Sequence, residues 1–230
     1  MREKISKLAQ HITQRNKIYT EKDPEYYVYA DIITDDQADV LLTMERRKEE
    51  KVEEIAAKVG RSYEETFNML MELTDIGAIE MKPQGDGTDR FELIIYLPGV
   101  FELMMLNREQ AKAHPEIARA FEEYSRVSVE PVTQIMPMGN GALRVIPVES
   151  AIKSVTRKAP YEEISHWLTK YQNHIALAPC QCRLVRQQMD EGTGNMPEEM
   201  CIILGATAES CIRTGKARRI TRKEAEDVLA

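Results

Sequence analysis

Apolar residues recur at helical spacing through the first third of the chain. The stretch DQADVLLTM (36–44) predicts a short helix, and the charged block ERRKEEKVEE (45–54) predicts that helical structure continues with little to bury. The stretch KVEEIAAKVG (51–60) predicts a further helix whose apolar face holds Val52, Ile55, Ala56 and Val59 and which ends at Gly60. A capping box of Ser62 and Glu65 begins the next helix, which ends at Gly77 and turns inward Phe67, Leu70, Met71 and Leu73.

Two strand patterns follow this capped helix. The stretches AIEMKP (78–83) and RFELIIYL (90–97) flank the turn sequence QGDGTD (84–89), and together they predict a β-hairpin. Helix, helix, turn, helix and hairpin is the element order of a winged helix-turn-helix. We therefore predict a winged-helix-like domain over residues 1–106.

The remaining pattern predicts more helix, a linker and a second domain. The stretch 98–127 is mostly helical and is interrupted before Pro115, and its Met104 and Met105 are interpreted as core residues rather than ligands. We predict a connecting helix and linker over 107–140, and a cysteine-containing domain over 141–230. That second domain begins with a strand at ALRVIPV (142–148) and continues with an amphipathic helix at YEEISHWLTKYQ (161–172). The predicted fold class is mainly α with small β elements, that is, α+β.

The helix that would read DNA in a winged helix carries the wrong charge for that role. The stretch SYEETFNMLMELTDIG (62–77) has no lysine or arginine and contains Glu64, Glu65, Glu72 and Asp75. Because binding to duplex DNA depends on cations that contact phosphates, these carboxylates would repel the duplex. We expect specific DNA binding to be unlikely and favour a protein-contact role for this domain.

Composition places the chain among globular cytosolic proteins. It has 230 residues, of which 30% are charged and 43% hydrophobic, and its net charge is −7. The polar first twenty residues contain no signal-like apolar segment, and no apolar run is long enough to predict a membrane span. The four cysteines of a cytoplasmic protein are expected to bind metal or to be buried rather than to form disulfides.

Three of those cysteines lie within PCQCRLVRQQMDEGTGNMPEEMC (179–201). Cys180 and Cys182 can turn toward one metal, while a disulfide between them would be strained. Pro197 and the following acidic pair favour a helix start that would place Cys201 near its positive end, where a thiolate is stabilised. The alternative is that these cysteines are small buried apolar residues, which is common for free cysteine.

The fourth ligand is left open by the sequence. If the segment from Cys201 to Cys211 is one helix, the two Cα atoms are about 15 Å apart and Cys211 is not a ligand. Cys211 joins the site only if Gly205 breaks that helix; otherwise Asn195, water or a partner side chain takes the position. His166 or His174 would complete a zinc site, and Arg183 would donate hydrogen bonds to cluster sulfides or remain a surface cation.

The segments APCQCR, PEEMCIILGATAE and GKARRITRKEAEDVL resemble an iron–sulfur protein family of anaerobic bacteria and archaea. Its members combine a winged-helix-like front with a C-x-C-R element, a P-x-E-x-C helix and a basic G-x-A-R-x-I segment. The resemblance implies a 4Fe–4S cluster, with zinc as the alternative, and matches Cys180, Cys182 and Cys201. The family usually has a further cysteine where this chain has Asn195, and many members continue into ferredoxin-type clusters beyond the position of Ala230.

Two functions are predicted from these features. The first is an electron-transfer protein or an accessory subunit of an anaerobic oxidoreductase complex, whose partner would be a redox protein docked on the basic tail (213–223). The second is a winged-helix regulator with a metal- or redox-sensing cysteine site. The sequence contains no hydrolase, P-loop or dinucleotide-binding motif, so enzymatic activity is left undecided.

Overall fold

The computed structural model describes residues 1–84, 86–131, 164–192 and 197–229. Across this part of the chain it is mainly helical with two small antiparallel sheets, as the α+β prediction required. The predicted strand at 142–148 and residues 132–140 of the predicted connecting helix and linker lie outside the described residues. No helix in the described ranges is long and apolar enough to cross a membrane.

Eight helices and a three-stranded sheet form the first unit. The helices are α1 (Glu3–Thr13), α2 (Pro24–Ala30), α3 (Asp35–Thr43), α4 (Val52–Val59), α5 (Tyr63–Ile76), α6 (Phe101–Leu106), α7 (Arg108–Ala113) and α8 (Glu116–Tyr124). The strands β1 (Glu49–Lys51), β2 (Glu80–Pro83) and β3 (Asp89–Glu92) are arranged in the order β1-β3-β2. Wider turns at Tyr96–Val100 and Ser125–Val129 precede α6 and follow α8.

Local signals explain the boundaries of the central helices. Ser62 Oγ accepts the backbone N–H of Glu65, and the Glu65 carboxylate accepts the backbone N–H of Ser62, so the capping box is confirmed. Gly60 and Gly77 end α4 and α5 in the left-handed conformation. Met104 and Met105 are fully buried in the main core, as predicted.

The charged block 45–54 is not a continuous helix, which corrects the sequence interpretation. Residues 49–51 form β1, which pairs with β3, and Glu50 is only 1% exposed on the inward face of that strand. Its carboxylate is paired with Lys58 and accepts the backbone N–H of Glu45. Pairing with a distant strand, combined with this buried ion pair, outweighs the helix propensity of the block.

A second unit packs four helices around the other sheet. The helices are α9 (Ile164–Lys170), α10 (Gln181–Gln188), α11 (Ala206–Arg213) and α12 (Arg222–Leu229), and the strands are β4 (Ile175–Pro179), β5 (Glu199–Leu204) and β6 (Arg218–Arg219). Strand β4 is buried along its whole length and lies between β5 and β6. The amphipathic helix predicted at 161–172 corresponds to α9, where Leu168 is buried against Ile175 and Ile220.

The two units are joined along two helices of the second one. Helix α10 packs on α6 and α8 and places Val185 in the main core, while Gln188 Nε2 donates to the carbonyl of Ala111 at 2.8 Å. Helix α11 packs on β2, and Arg213 forms a bidentate ion pair with Asp89 at 2.6 and 2.9 Å. The domain boundaries at residues 106 and 140 stay a prediction.

We predict a large difference between two glycine substitutions at equivalent helix ends. A Cβ on Gly77 would lie 2.5 Å from the backbone nitrogen of Met104, whereas a Cβ on Gly60 would meet nothing within 4 Å. Gly60→Ala should cost about 1–2 kcal/mol from the left-handed conformation alone. Gly77→Ala should cost about 1–3 kcal/mol more, because backbone has to move. Urea unfolding of both variants measures this, and equal losses would contradict the close packing of α5 on α6.

Candidate metal centre

Cys180 and Cys182 lie where the buried strand β4 gives way to helix α10. The apolar sequence IALA supplies the strand, and Cys180 is the residue that precedes the first turn of α10. Its backbone N–H donates to the carbonyl of Glu198 at 2.9 Å, and its carbonyl accepts the backbone N–H of Leu184 at 3.0 Å. Cys182 lies in the first turn of α10, so both C-x-C cysteines are at the positive end of a helix.

Cys201 belongs to a strand and not to a helix, which corrects the sequence interpretation. It pairs with Ala178 within the antiparallel β4–β5 ladder. Strand β4 is fully buried and needs a hydrogen-bonding partner on each side, so β5 is held in extended form despite the helix-start signal at Pro197. The helix-dipole argument made for Cys201 is therefore wrong, and it applies instead to Cys180 and Cys182.

The Cys180, Cys182 and Cys201 thiols are brought together at one corner, which we call the thiol corner. Burial, together with the neighbouring Cys180 and, to a smaller extent, Cys182, raises the pKa of Cys201 to about 12, because ionised neighbours would repel a third thiolate. The Cys201 thiol donates to Gln181 Oε1 at 3.1 Å. Burial, Cys180 and then Glu102 raise the pKa of Cys182, although part of its surface remains exposed.

Cys211 belongs to the small apolar cluster against which Cys201 also packs, but different charged groups act on its thiol. The segment 201–211 is not a continuous helix, because the chain leaves β5 at Gly205 and only then enters α11. The separation of about 15 Å between Cys201 and Cys211, which assumed one continuous helix, therefore does not apply. Cys211 is 1% exposed and packs with Leu106 and Ala178. Burial raises the pKa of its thiol to about 11, and the charges that act on it belong to Lys216 and Glu80 rather than to the other cysteines.

The other candidate residues make contacts of their own. Arg183 Nη1 donates to the carbonyl of Pro197 at 2.8 Å and contacts the sulfur of Met200, so it fastens the chain after the glycine-rich loop to α10. His174 Nδ1 lies 2.9 Å from Glu209 Oε1, and His166 contacts the ring of Trp167 edge-on. Asn195 lies outside the described residues.

Three cysteine sulfurs are the kind of ligand that thiophilic metals prefer. The Cys201 side chain, however, is placed as a protonated thiol that donates a hydrogen bond to Gln181. Three soft sulfur donors at one corner are the ligand type of iron–sulfur clusters and of structural zinc. Within the described ranges, however, no group of three or more His, Cys, Asp and Glu side chains is placed to hold a metal ion. Metal binding would require Cys201 to release its bond to Gln181 and Cys182 to turn toward its neighbours.

The basic tail is largely engaged within the chain. Arg213 is paired with Asp89, Arg218 with Glu199, Arg219 with Glu209 and Arg222 with Glu226. Lys216 is only 7% exposed, and its ammonium group donates to the carbonyl of Thr74 near the C-terminal end of α5. The sequence did not single out this lysine, because nothing in GKARR distinguishes a buried lysine from an exposed one.

No protein-family model matches the chain, and no curated protein or solved structure is significantly similar to it.

We predict that Lys216 makes the protein more stable as pH rises toward alkaline values. Burial lowers the pKa of Lys216 from 10.5 to about 8. Between those values the unfolded chain binds a proton that the folded chain does not, so stability rises with pH. From pH 7 to pH 9 the gain is about 1 kcal/mol.

Urea unfolding under reducing conditions at pH 7 and pH 9 measures this gain. Lys216→Met should lose the pH-dependent increment, while Lys223→Met, at an exposed position on α12, should retain it. The raised pKa values of Cys182, Cys201 and Cys211 act with the opposite sign as pH approaches 9, so the contribution of Lys216 is the difference in pH response between wild type and Lys216→Met. The same pH response in wild type and Lys216→Met would contradict a buried, destabilised ammonium.

Proposed function

We propose that the chain binds an iron–sulfur cluster at the thiol corner and acts as an electron-transfer protein or an accessory subunit of an oxidoreductase. The observation that carries this proposal is the convergence of cysteines separated by about twenty residues of sequence. Cys180, Cys182 and Cys201 are close enough that each of the first two raises the pKa of the third. Ionising all three thiols at one corner is costly because the thiolates repel one another, and a bound cation removes that repulsion.

Each residue of the corner has a defined part in this proposal. A bound cluster would supply one-electron transfer, and Cys180, Cys182 and Cys201 would hold it as thiolates. Cys180 and Cys182 lie at the N-terminus of α10, and Arg183 keeps the strand that carries Cys201 against α10. The fourth position remains for Asn195, water or a partner side chain, since the charges that act on Cys211 come from Lys216 and Glu80. Zinc is the alternative metal for the same donors.

A winged helix is the interpretation we propose for residues 36–92. Three helices, a short strand between α3 and α4, and the strand order β1-β3-β2 support it. The exposed side of α5 presents Glu64, Glu72 and Asp75 and no cation, which favours a protein contact over DNA. The edge of β2 is already covered by α11, so the hairpin serves as a platform for the second unit.

A regulator that senses metal or redox state is the second candidate. It is favoured by one observation, namely that α11 joins the cysteine-containing unit to the hairpin of the first unit. Arg213 donates two hydrogen bonds to the carboxylate of Asp89 on β3, and Thr207 Oγ1 donates to Glu80 Oε1 on β2 at 2.5 Å. A change at Cys201 would therefore reach the hairpin through β5 and α11, which follow one another along the chain.

We predict that anaerobically prepared protein contains iron and acid-labile sulfide and has the broad visible absorption of thiolate-bound clusters. Cys201→Ser should lose most of that iron, because one of three thiolates at the corner is removed. Cys211→Ser should keep it, because the charges that act on the Cys211 thiol come from Lys216 and Glu80 and not from the other three cysteines. Iron and sulfide analysis of the two variants beside wild type measures the difference.

Two outcomes would change the assignment. One equivalent of zinc in colourless protein would replace the cluster by a zinc site on the same cysteines. Equal metal loss in Cys201→Ser and Cys211→Ser would place Cys211 among the ligands, and metal-free wild type prepared under iron-rich anaerobic conditions would overturn the proposal.

A further inference from the structure

A cavity of about 370 Å³ lies between the two units, outside the thiol corner. The first unit contributes the end of α5 and the start of α7 to its wall, and the second contributes the ends of β4 and β5 and the turn after α11. The residues that matter for its chemistry are Asp75, Asn107, Arg108, Glu199, Lys216 and Arg218. Its volume is in the range of small-molecule sites, and sites between packed units are common places for ligands.

One edge of a guanidinium in this wall has no hydrogen-bond acceptor among the described residues. Within that part of the chain, Arg108 Nε and Nη2 are buried and make no hydrogen bond. Glu198 Oε1 is 2.9 Å from Nη2, which is close enough for an ion pair, but the contact does not meet hydrogen-bond geometry. The Nε and Nη2 groups form the side of the guanidinium that binds an oxyanion through two parallel bonds. Buried polar groups without partners are rare in folded proteins and call for an explanation.

A second cation in the wall also lacks a carboxylate partner. Lys216 donates to the carbonyl of Thr74, and no carboxylate lies within ion-pair distance of it in the described part of the chain. An ammonium group has three donors, and the Thr74 carbonyl takes one of them. Asp75 also acts on Lys216 electrostatically, and its carboxylate accepts a hydrogen bond from Asn107 at 3.3 Å.

Other charges of the wall have partners. Arg218 is paired with Glu199 at 3.2 Å and lies 3.8 Å from Glu224, and Glu109 lies 3.8 Å from Lys112. The positive charge that lacks a well-formed partner is therefore on Arg108 of the first unit and on Lys216 of the second, and Asp75 is the wall carboxylate that acts on Lys216.

We propose that this cavity binds a small organic anion whose carboxylate or phosphate group takes the Nε and Nη2 edge of Arg108. Lys216 contributes a second positive charge, and the Glu198 carboxylate moves aside to open the edge. The volume of the cavity limits the ligand to a small molecule. The ligand would contact both units, because Arg108 belongs to the first unit and Lys216 to the second. The proposal concerns a site that is separate from the thiol corner and does not rest on the cluster.

Isothermal titration calorimetry with the full chain tests this proposal. The probes are succinate, for a carboxylate ligand, and glycerol 3-phosphate, for a phosphate ligand, each titrated at constant ionic strength. We expect saturable binding of one of them. Arg108→Gln and Arg108→Lys should each weaken it at least about tenfold, because neither retains the two-donor edge. Glu198→Gln should bind as tightly as wild type or a few times more tightly, because it removes a competing carboxylate.

The matched control is Lys112→Gln, which removes an exposed cation from the same helix α7 and should leave binding unchanged. Circular dichroism of every variant verifies that it is folded. The proposal is overturned if neither probe gives saturable binding, if Arg108→Gln and Arg108→Lys bind as wild type does, or if Lys112→Gln weakens binding as much as they do.

Discussion

The contact between the two units is the constraint on which the rest of the structure depends. Helix α10 inserts Val185 into the core that α1 to α8 build, and α11 covers the edge strand of the first sheet. Burial of apolar surface supplies the attraction, and specific polar contacts set the alignment. Among these contacts are the bidentate pair of Arg213 with Asp89 and the bond from Gln188 to the carbonyl of Ala111.

The contact between the two units also positions the thiol corner and the cavity. The thiol corner is at the start of α10, whose other end is held by α8 through Arg186 and the buried Glu122. The cavity with Arg108 and Lys216 lies between the same two units. Fastening α10 to the first unit therefore limits the backbone freedom of Cys180 and Cys182, two of the three cysteines of the proposed metal site.

Local signals explain which elements the sequence could predict. The helix from Ser62 to Gly77 was predicted correctly, because its capping box and its glycine lie within the segment itself. Strands β1 and β5 were not, because their extended form depends on partners far along the chain: β1 pairs with β3, and β5 pairs with the buried β4. Non-local pairing of this kind overrides propensity, as Glu50 and Cys201 both illustrate.

The site was predictable to a similar degree. The C-x-C spacing predicted Cys180 and Cys182 as ligands, which stays a prediction, and Cys201 lies on a strand where the sequence had indicated a helix start. The buried Lys216 and the unpartnered edge of Arg108 leave no trace in a single sequence, because burial is decided by packing between units. The interpretation of the tail as a free basic surface was weakened by the four ion pairs that its arginines form within the chain.

The central claim is that Cys180, Cys182 and Cys201 form one metal site fastened to the first unit. Amide hydrogen exchange, followed by mass spectrometry on metal-loaded and metal-free protein, tests it most directly because it locates the effect of metal along the chain. The account predicts slower exchange on metal loading in two separate segments, the start of α10 and strand β5. Protection confined to one of these segments, or located elsewhere in the chain, would contradict it.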